Sequence, residues 1–426
     1  MQKTKLLVFP CGSEIGLEIQ KALKYAKYIE LWGGSSVRSN HGKFVYKNYI
    51  GDLPHVDDSN FLENLNKIIK KYDFDMIYPA YDEINFELNK KSDSLKAEII
   101  GSPFQTLKLT RSKSQTYSYF KGKLAVPVEY SSVNEIEIGE YPIFIKPDQG
   151  HGSEDTHIAQ DRERAEFYLR NNENLIMLEY LEGKEYTIDC FTDYTGELRF
   201  IGGRERKRIR NGISVDAIPI ENKEIAKFAE VINAELNLNG AWFFQLKEDN
   251  SGKLKLLEIG PRIAGTMALY RNLGVNFPLL SFYNAKKIDI DIVRNDYPIE
   301  IDRALKNKFD IGLDYDHIYI DLDDCLINNG KVNSQIIKFI YDSINNNLQI
   351  NLITKHNGNL KDKLKQNRLE NVFDQILHIR QEESKSDYIS ENNAILIDDS
   401  FSERKEVSEK CNIPVFSPDM VESLEV

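Results

Sequence analysis

The sequence predicts an α/β protein of three domains. These are a doubly wound domain over residues 1–104, an α+β domain over 105–300 and a Rossmann-like domain over 315–426. Three observations predict this. The chain opens as a strand, a glycine turn and a helix. Its middle holds strand-like runs separated by hairpin turns. Its last quarter holds two apolar, β-branched runs that each end in carboxylates. A chain of 426 residues, at roughly 150 residues per domain, gives the same number.

Lys5 to Phe9 is an apolar strand, followed by the turn Pro10-Cys11-Gly12-Ser13-Glu14-Ile15-Gly16 and the amphipathic segment Leu17 to Tyr25. Strands recur at Ile29 to Trp32, Met76 to Tyr78 and Ala97 to Ile100, with a helical pattern at Asn60 to Lys71. The glycine turn lacks the full dinucleotide fingerprint, so it serves the bend. After Pro103 come strand-like runs at Ile143 to Lys146, Leu175 to Leu178, Glu185 to Phe191, Leu198 to Gly202, Ala241 to Lys247 and Lys253 to Ile259. Asp193-Tyr194-Thr195-Gly196 and Asp249-Asn250-Ser251-Gly252 read as hairpin turns between them. From about Tyr297 through Asp314 the composition turns charged and irregular, which reads as a linker; the third domain starts at His317.

Composition limits the function classes. With 41% hydrophobic and 29% charged residues, the chain reads as a soluble globular protein. No apolar run approaches the ~20 residues of a membrane span, and the N-terminus reads as a strand start, not a signal peptide. Cys11, Cys190, Cys325 and Cys411 lie far apart, with no metal-type spacing, which fits a reducing cytoplasm. The net charge of −12 argues against nucleic acid as a partner.

The middle region carries an ordered set of motifs. Pro142-Ile143-Phe144-Ile145-Lys146-Pro147 runs straight into Asp148-Gln149-Gly150-His151-Gly152-Ser153. A lysine at a strand end holds phosphate as a point charge, and a glycine loop brings backbone N–H groups to the same phosphates. Then come Met177 to Thr187, Gly240 to Leu246, and Leu256-Leu257-Glu258-Ile259-Gly260-Pro261-Arg262. In this order and spacing the motifs resemble the ATP-grasp superfamily, most closely its carbamoyl-phosphate-synthase-like branch, over roughly residues 1 to 290. The first domain then corresponds to a pre-ATP-grasp domain.

That resemblance implies the roles. Lys113 and Lys146, with Gly152 and Ser153 of the loop, would hold ATP phosphates. The hinge Glu179 to Leu181 would meet adenine, and Glu185 the ribose hydroxyls. Gln245 and Glu258 would hold Mg2+, a cation that takes hard oxygen ligands, and Arg262 would stabilise the transferring phosphoryl group. Gly260 stands where many family members carry an Asn that ligates a second metal. The implied chemistry is acyl activation: phosphoryl transfer from ATP turns a carboxylate into an acyl phosphate, which an amine attacks. Two readings stand for the basic run Arg204 to Arg210: contact with acyl phosphate or substrate, or a solvated positive face. Two also stand for Tyr81-Asp82-Glu83: a lining of the substrate cleft, or a helix N-cap by Asp82.

In the last quarter, Ile318-Tyr319-Ile320-Asp321-Leu322-Asp323-Asp324 and Ile395-Leu396-Ile397-Asp398-Asp399-Ser400 read as buried parallel strands delivering acids at their C-terminal edge, where ligand sites form. Thr354 and Lys385 lie between them. This order resembles the haloacid dehalogenase-like (HAD) phosphatases. By that resemblance Asp321 is the nucleophile, ionised at neutral pH, and Asp323 the general acid and base. Thr354 and Lys385 hold the phosphoryl oxygens. Asp321, Asp323 and Asp399 are metal candidates, with Asp398 and Glu403 as alternatives. Cys325 stands where the family often has Thr. Too few residues separate Asp323 from Thr354 for a cap domain, so the domain would be capless. His151, His157, His317 and the group Trp242, Phe243 and Phe244 read as packing or hydrogen-bonding residues.

The sequence therefore predicts a cytoplasmic, bifunctional enzyme using ATP and Mg2+. A carboxylate–amine ligase would be joined to a phosphatase acting on a small phosphorylated metabolite. Its partners would be small-molecule carboxylate and amine substrates, with no nucleic acid and no membrane. Amide decoration of a sugar acid, or assembly of a peptide-like metabolite, would fit. The other reading is an ATP-grasp small-molecule kinase or sensor with a non-catalytic HAD-like binding module.

Overall fold

The computed structural model describes residues 3–150, 155–172, 174–210 and 212–424. The chain divides into two compact units, Met1–Leu305 and Lys306–Val426. Among the described residues no helix is long and apolar enough to cross a membrane.

The first unit opens with strands β1 (Thr4–Phe9), β2 (Ile29–Gly34), β3 (Asn48–Ile50), β4 (Met76–Pro79) and β5 (Glu98–Ile99). They form a parallel sheet in the order β3-β2-β1-β4-β5. β1 is its centre and alternates between two cores. Leu6 and Val8 pack in one apolar cluster, Leu7 and Phe9 in another, as period-2 side chains between two helix layers must. The strand order reverses between β1 and β4, so a crevice opens past their C-terminal ends. Ser13 closes its floor. Its hydroxyl caps the helix Glu14–Leu23 by accepting from Gly16 N and donates to Ala80 O, just past β4.

Two antiparallel sheets follow. One holds β6 (Glu129–Tyr130), β7 (Ile143–Pro147), β8 (His157–Ala159) and β9 (Leu175–Glu179), in the order β6-β9-β7-β8. The larger holds β10 (Glu185–Thr192), β11 (Leu198–Arg210), β12 (Ile213–Ile220), β13 (Gly240–Glu248), β14 (Leu254–Gly260) and β15 (Ile301–Asp302), in the order β14-β13-β10-β11-β12-β15. On one face of this sheet Ile188, Phe244 and Leu246 pack with Ile225, Phe228 and Ile232 of the helix Lys223–Glu235. On the other face Phe191, Phe200 and Ala241 join the apolar cluster that contains Leu6 and Val8, and the stretch beside them is polar.

Two expectations fail here. β11 was expected to end at Gly202 but runs to Arg210 and pairs with β12, which has no counterpart in the sequence reading. The stretch read as a linker contains β15, paired with Asp216 and Ala217 of β12. These outer strands are held by charge pairs, Lys207 with Glu300 and Arg208 with Asp302. The end of β11 carries no apolar alternation to read, whereas Ile213, Val215 and Ala217 of β12 alternate with Ser214 and Asp216, a signal that went unread.

In the second unit, β16 (His317–Ile320) is the centre of a parallel sheet. The small hairpin β17 (Ile327–Asn328) and β18 (Lys331–Val332) precedes the helix Ser334–Asn345. With β19 (Gln349–Thr354), β20 (Gln375–His378), β21 (Ala394–Ile397) and β22 (Val415–Phe416), the sheet order is β20-β19-β16-β21-β22. Ile318, Ile320, Ile350, Leu352, Ile395 and Ile397 are fully buried together.

Every buried apolar cluster takes its residues from one unit. Residues 1–305 expressed alone should therefore be soluble and unfold in one cooperative transition, read by circular dichroism on heating. An aggregated fragment would show that its core needs the rest of the chain.

Candidate functional site

The polar face of the six-stranded sheet is organised by register. Arg204 on β11 opposes Thr187 on β10, Thr187 opposes Gln245 on β13, and Gln245 opposes Glu258 on β14. Directly opposed residues share a face, so these four form one row. Two residues along β10 in one direction lie Glu185 and its opposite Lys247, with Arg206 bound to Glu185. Two residues along in the other direction, Asp189 opposes Gly202 and Phe243, and Phe243 opposes Gly260.

Two cavities meet on this face. The first is lined by Lys113, Phe144, Lys146, Glu179, Tyr180, Leu181, Glu185, Lys247 and Leu257. The second is lined by Ser13, Glu14, Asp82, Thr187, Arg204, Arg262, Thr266 and Arg303. Arg206, Gly212, Gln245 and Glu258 line both. The crevice past β1 and β4 thus supplies one wall of the second cavity.

In the first cavity the Lys146 ammonium donates to the Tyr117 hydroxyl at 3.0 Å, and that hydroxyl donates to Leu257 O at 2.7 Å. Burial pushes the Lys146 ammonium down to about 8, and the charge of Lys113 adds to this. Burial lowers Lys113 too, with Glu258 partly offsetting it. Lys113 Nζ donates to Asp148 O and Gly150 O. Glu179 accepts from Val128 N at 2.7 Å and Lys255 Nζ at 2.5 Å, so its side chain is committed within the fold. Glu185 lines the same cavity, and its carboxylate is held by Arg206, with Lys247 3.8 Å away. Gly152, Ser153 and His151 lie outside the described residues.

Gln245 and Glu258 stand side by side at the junction. Glu258 has no hydrogen-bond partner among the described residues, and Gln245 Oε1 accepts from Arg206 Nη1 at 3.0 Å. An amide oxygen beside a free carboxylate fits a hard cation. At Gly260 a side chain would collide with the Phe243 ring, so the aromatic ring fills the space that a ligating residue there would need. Arg262 lines the second cavity and not the first. Asp82 holds its guanidinium through two hydrogen bonds, of 2.5 and 2.7 Å, and the group lies over Phe243. Asp82 begins the helix Asp82–Lys90 with Tyr81 at the N-cap position, so its carboxylate serves the cavity and does not cap. The basic run divides along its length: Arg204 and Arg206 are buried on the site face, whereas Lys207 to Arg210 are exposed, past a register shift after Arg206.

In the second unit one cavity gathers Asp321, Asp323, Thr354, His356, Lys385, Asp398, Asp399 and Glu403. Lys385 is buried and donates to Asp321 at 2.5 Å and to Asp398 at 2.6 Å. Asp321, Asp398 and Asp399 bring carboxylate oxygens within 4.8 Å of one another, a donor set that suits a divalent cation. Asp323 is not among the three. It accepts from, or donates to, His356 Nδ1 at 2.6 Å. Glu403 is paired with Lys355. Burial pushes the Asp321 carboxyl up to about 7, Asp398 adds to this, and Lys385 offsets part of it. Cys325 is buried, with its thiol on Ile397 O at 3.6 Å. His356 went unread in the sequence; its position two residues past Thr354, at the same strand edge, is the signal that marks it.

The other residues read as packing behave so. His157 stacks on Tyr168 and pairs with Asp155. Trp242 and Phe244 are core.

Residues 171–305 match a family model described as ATP-grasp in the biosynthetic pathway with Ter operon. D-alanine–D-alanine ligase of Fusobacterium nucleatum is 27% identical over 230 residues, covering 50% of this chain and 77% of that protein. N5-carboxyaminoimidazole synthetase from Staphylococcus aureus in complex with ADP superposes with a TM-score of 0.57 at 16% identity, covering 69% of this chain and 81% of that one. L-amino acid ligase from Bacillus licheniformis superposes with a TM-score of 0.54 at 18% identity, covering 67% and 75%. At such identities the likeness to these structures is one of fold. Over residues 171–305 the chain thus has the sequence character of an ATP-grasp family, and about two thirds of it shares the fold of these ligases and synthetases.

Proposed function

We propose that the unit Met1–Leu305 is an ATP-dependent carboxylate–amine ligase and the unit Lys306–Val426 a Mg2+-dependent phosphatase. The observation that carries the first part is the shared row. Gln245, Glu258 and Arg206 belong to two cavities at once. One has the lysines and hinge that suit ATP, the other has polar walls that suit an acceptor. The γ-phosphate would lie at their junction. Solved relatives in fold hold ADP, one of them with magnesium, which fits ATP and Mg2+ as the cofactors.

In the ligase, Lys146 and Lys113 would hold phosphate oxygens as point charges. Gln245 and Glu258 would hold Mg2+, which neutralises charge on the transferring phosphoryl group. The substrate carboxylate oxygen attacks the γ-phosphorus, and ADP leaves. The amine nitrogen then attacks the acyl carbon, and inorganic phosphate leaves. Arg206, at the junction, would balance the charge that builds there.

In the phosphatase, an Asp321 oxygen would attack phosphorus while Asp323 gives a proton to the leaving alcohol. Asp323 would then take a proton from the water that cleaves the aspartyl-phosphate. His356 holds Asp323 in place for both steps. Mg2+ on Asp321, Asp398 and Asp399 would offset the surplus of negative charge, and Lys385 and Thr354 would hold phosphoryl oxygens. A phosphorylated amine, freed of phosphate here, would be a suitable amine for the ligase.

Three outcomes test this. Glu258→Ala should abolish ADP formation and leave phosphate release from an activated ester intact; ligation at the wild-type rate by Glu258→Ala would sink the ligase assignment. Asp321→Asn should eliminate that phosphate release without touching ADP formation, and Asp323→Asn should slow it by roughly 10²–10⁴-fold. No phosphate release across a broad ester panel by the wild type would leave the second unit as a binding module.

The third outcome is a pH dependence. With Lys146 held at about 8, binding nucleotide phosphates above that pH must recruit a proton. Affinity for MgATP should fall as pH rises through about 8, by at most about tenfold per pH unit. Lys146→Arg should flatten that profile, read by calorimetry with a non-hydrolysable analogue; an unchanged slope would place the titrating group elsewhere. The stability term has the opposite sense. The unfolded chain holds the proton up to the usual lysine range and the folded one releases it from about 8. Stability therefore rises with pH across that window.

A further inference from the structure

We infer that the second cavity takes a hydroxylated carboxylic acid, one whose carbon chain bears hydroxyl groups, and that Arg204, Thr187 and Thr266 read those hydroxyls. This rests on the ligase reading and names the class of its carboxylate substrate.

The first observation is an unspent donor. Arg204 is 1% exposed, and its Nε and Nη2 donate to Asp189 at 2.7 and 3.3 Å. Its Nη1 has no partner among the described residues. A buried polar group left unpaired is costly. A ligand oxygen supplied from the cavity removes that cost.

The second is charge. Each arginine of this wall already has its carboxylate: Arg204 with Asp189, Arg262 with Asp82, Arg303 with Glu14. A second anion on the substrate would add an uncompensated buried charge, which is unfavourable. An α-ammonium group fares no better. Glu14 and Asp82 are taken, and Glu258 belongs to the cation junction. A neutral oxygen satisfies Arg204 without disturbing either balance.

The third is the pair of free hydroxyls. Thr187 and Thr266 are nearly buried in the same wall, and neither side chain has a hydrogen-bond partner among the described residues. A hydroxyl both donates and accepts, so it complements hydroxyls on a ligand. Position completes the picture. Arg204 leans on Asp189, away from the Glu185 and Lys247 pair that lines the nucleotide cavity. It stands two strands from Gln245, roughly 10 Å at the usual strand spacing. The hydroxyls it meets sit on the far part of the acid, not beside the reacting carboxylate.

The test uses the full chain with MgATP, hydroxylamine as the nucleophile, and matched acids. Gluconate is set against hexanoate and glucuronate against cyclohexanecarboxylate, with alanine and adipate as amino-acid and dicarboxylate arms. ADP release is the readout. The hydroxylated member of at least one pair should exceed its partner in kcat/KM by tenfold or more, since a site built to bond a hydroxyl rejects the analogue lacking it. Thr187→Val keeps shape and removes the hydroxyl; it should raise KM for that acid about tenfold and leave KM for ATP unchanged. Arg204→Lys keeps a charge opposite Asp189 but lacks the free Nη1, and should do the same. Equal turnover within both pairs, preference for alanine or adipate, or an unaffected KM in both variants overturns the inference. If no acid triggers ADP release, the ligase reading fails. Calorimetry of the same pairs on the protein with a non-hydrolysable ATP analogue then decides this inference separately, and equal or absent binding within the pairs refutes it.

Discussion

Antiparallel pairing forces directly opposed residues onto one face of a sheet, and that constraint arranges the charged groups of the first unit. Arg204, Thr187, Gln245 and Glu258 come from four strands and up to 71 positions of sequence, yet stand in one row because of register. A slip of one residue would send all of a strand's polar groups into the apolar layer against the helix Lys223–Glu235. Register is strongly specified here because both alternatives are costly. The apolar face would be wetted, and buried arginines would lose their carboxylates.

The two units manage charge in opposite ways. In the first, cations are paired in advance, and the groups left without a hydrogen bond include the Glu258 carboxylate, the Thr187 and Thr266 hydroxyls and Arg204 Nη1. In the second, Lys385 alone lies between Asp321 and Asp398, with Asp399 close by. Burial and mutual repulsion leave Asp321 easily protonated near neutrality. In the parallel sheet acids gather at the strand ends around one lysine, whereas the antiparallel sheet sets arginines on the next strand against its acids.

Strand-end residues were the legible part of these sites. Lys146, Asp321, Thr354 and Asp398 each follow or close an apolar run, and such runs announce buried strands. What depends on pairing between distant strands was not legible. Nothing in the segment Arg204 to Arg210 says that alternate residues face opposite ways, because the apolar marks of period two are missing there. The partner of Arg204 is Asp189, on the neighbouring strand, and the partner of Arg262 is Asp82, 180 residues away. β12 and the run into β15 do alternate, at Ile213, Val215 and Ala217 and at Ile299 and Ile301, but each run is short and broken by charge. The doubly wound opening, by contrast, was plain in the strand, glycine turn and helix that begin the chain.

Tyr117 carries a consequence of another kind. Its one phenol touches Lys146 on the four-stranded sheet and the Leu257 carbonyl on the six-stranded sheet. The lysine is therefore coupled to the opposite wall of the nucleotide cavity as well as to its own strand. Any shear between the two sheets stretches a chain of two hydrogen bonds through a fully buried ring. The phenol is in effect a strain gauge: how firmly the ammonium is held reports how closely the two walls have come together.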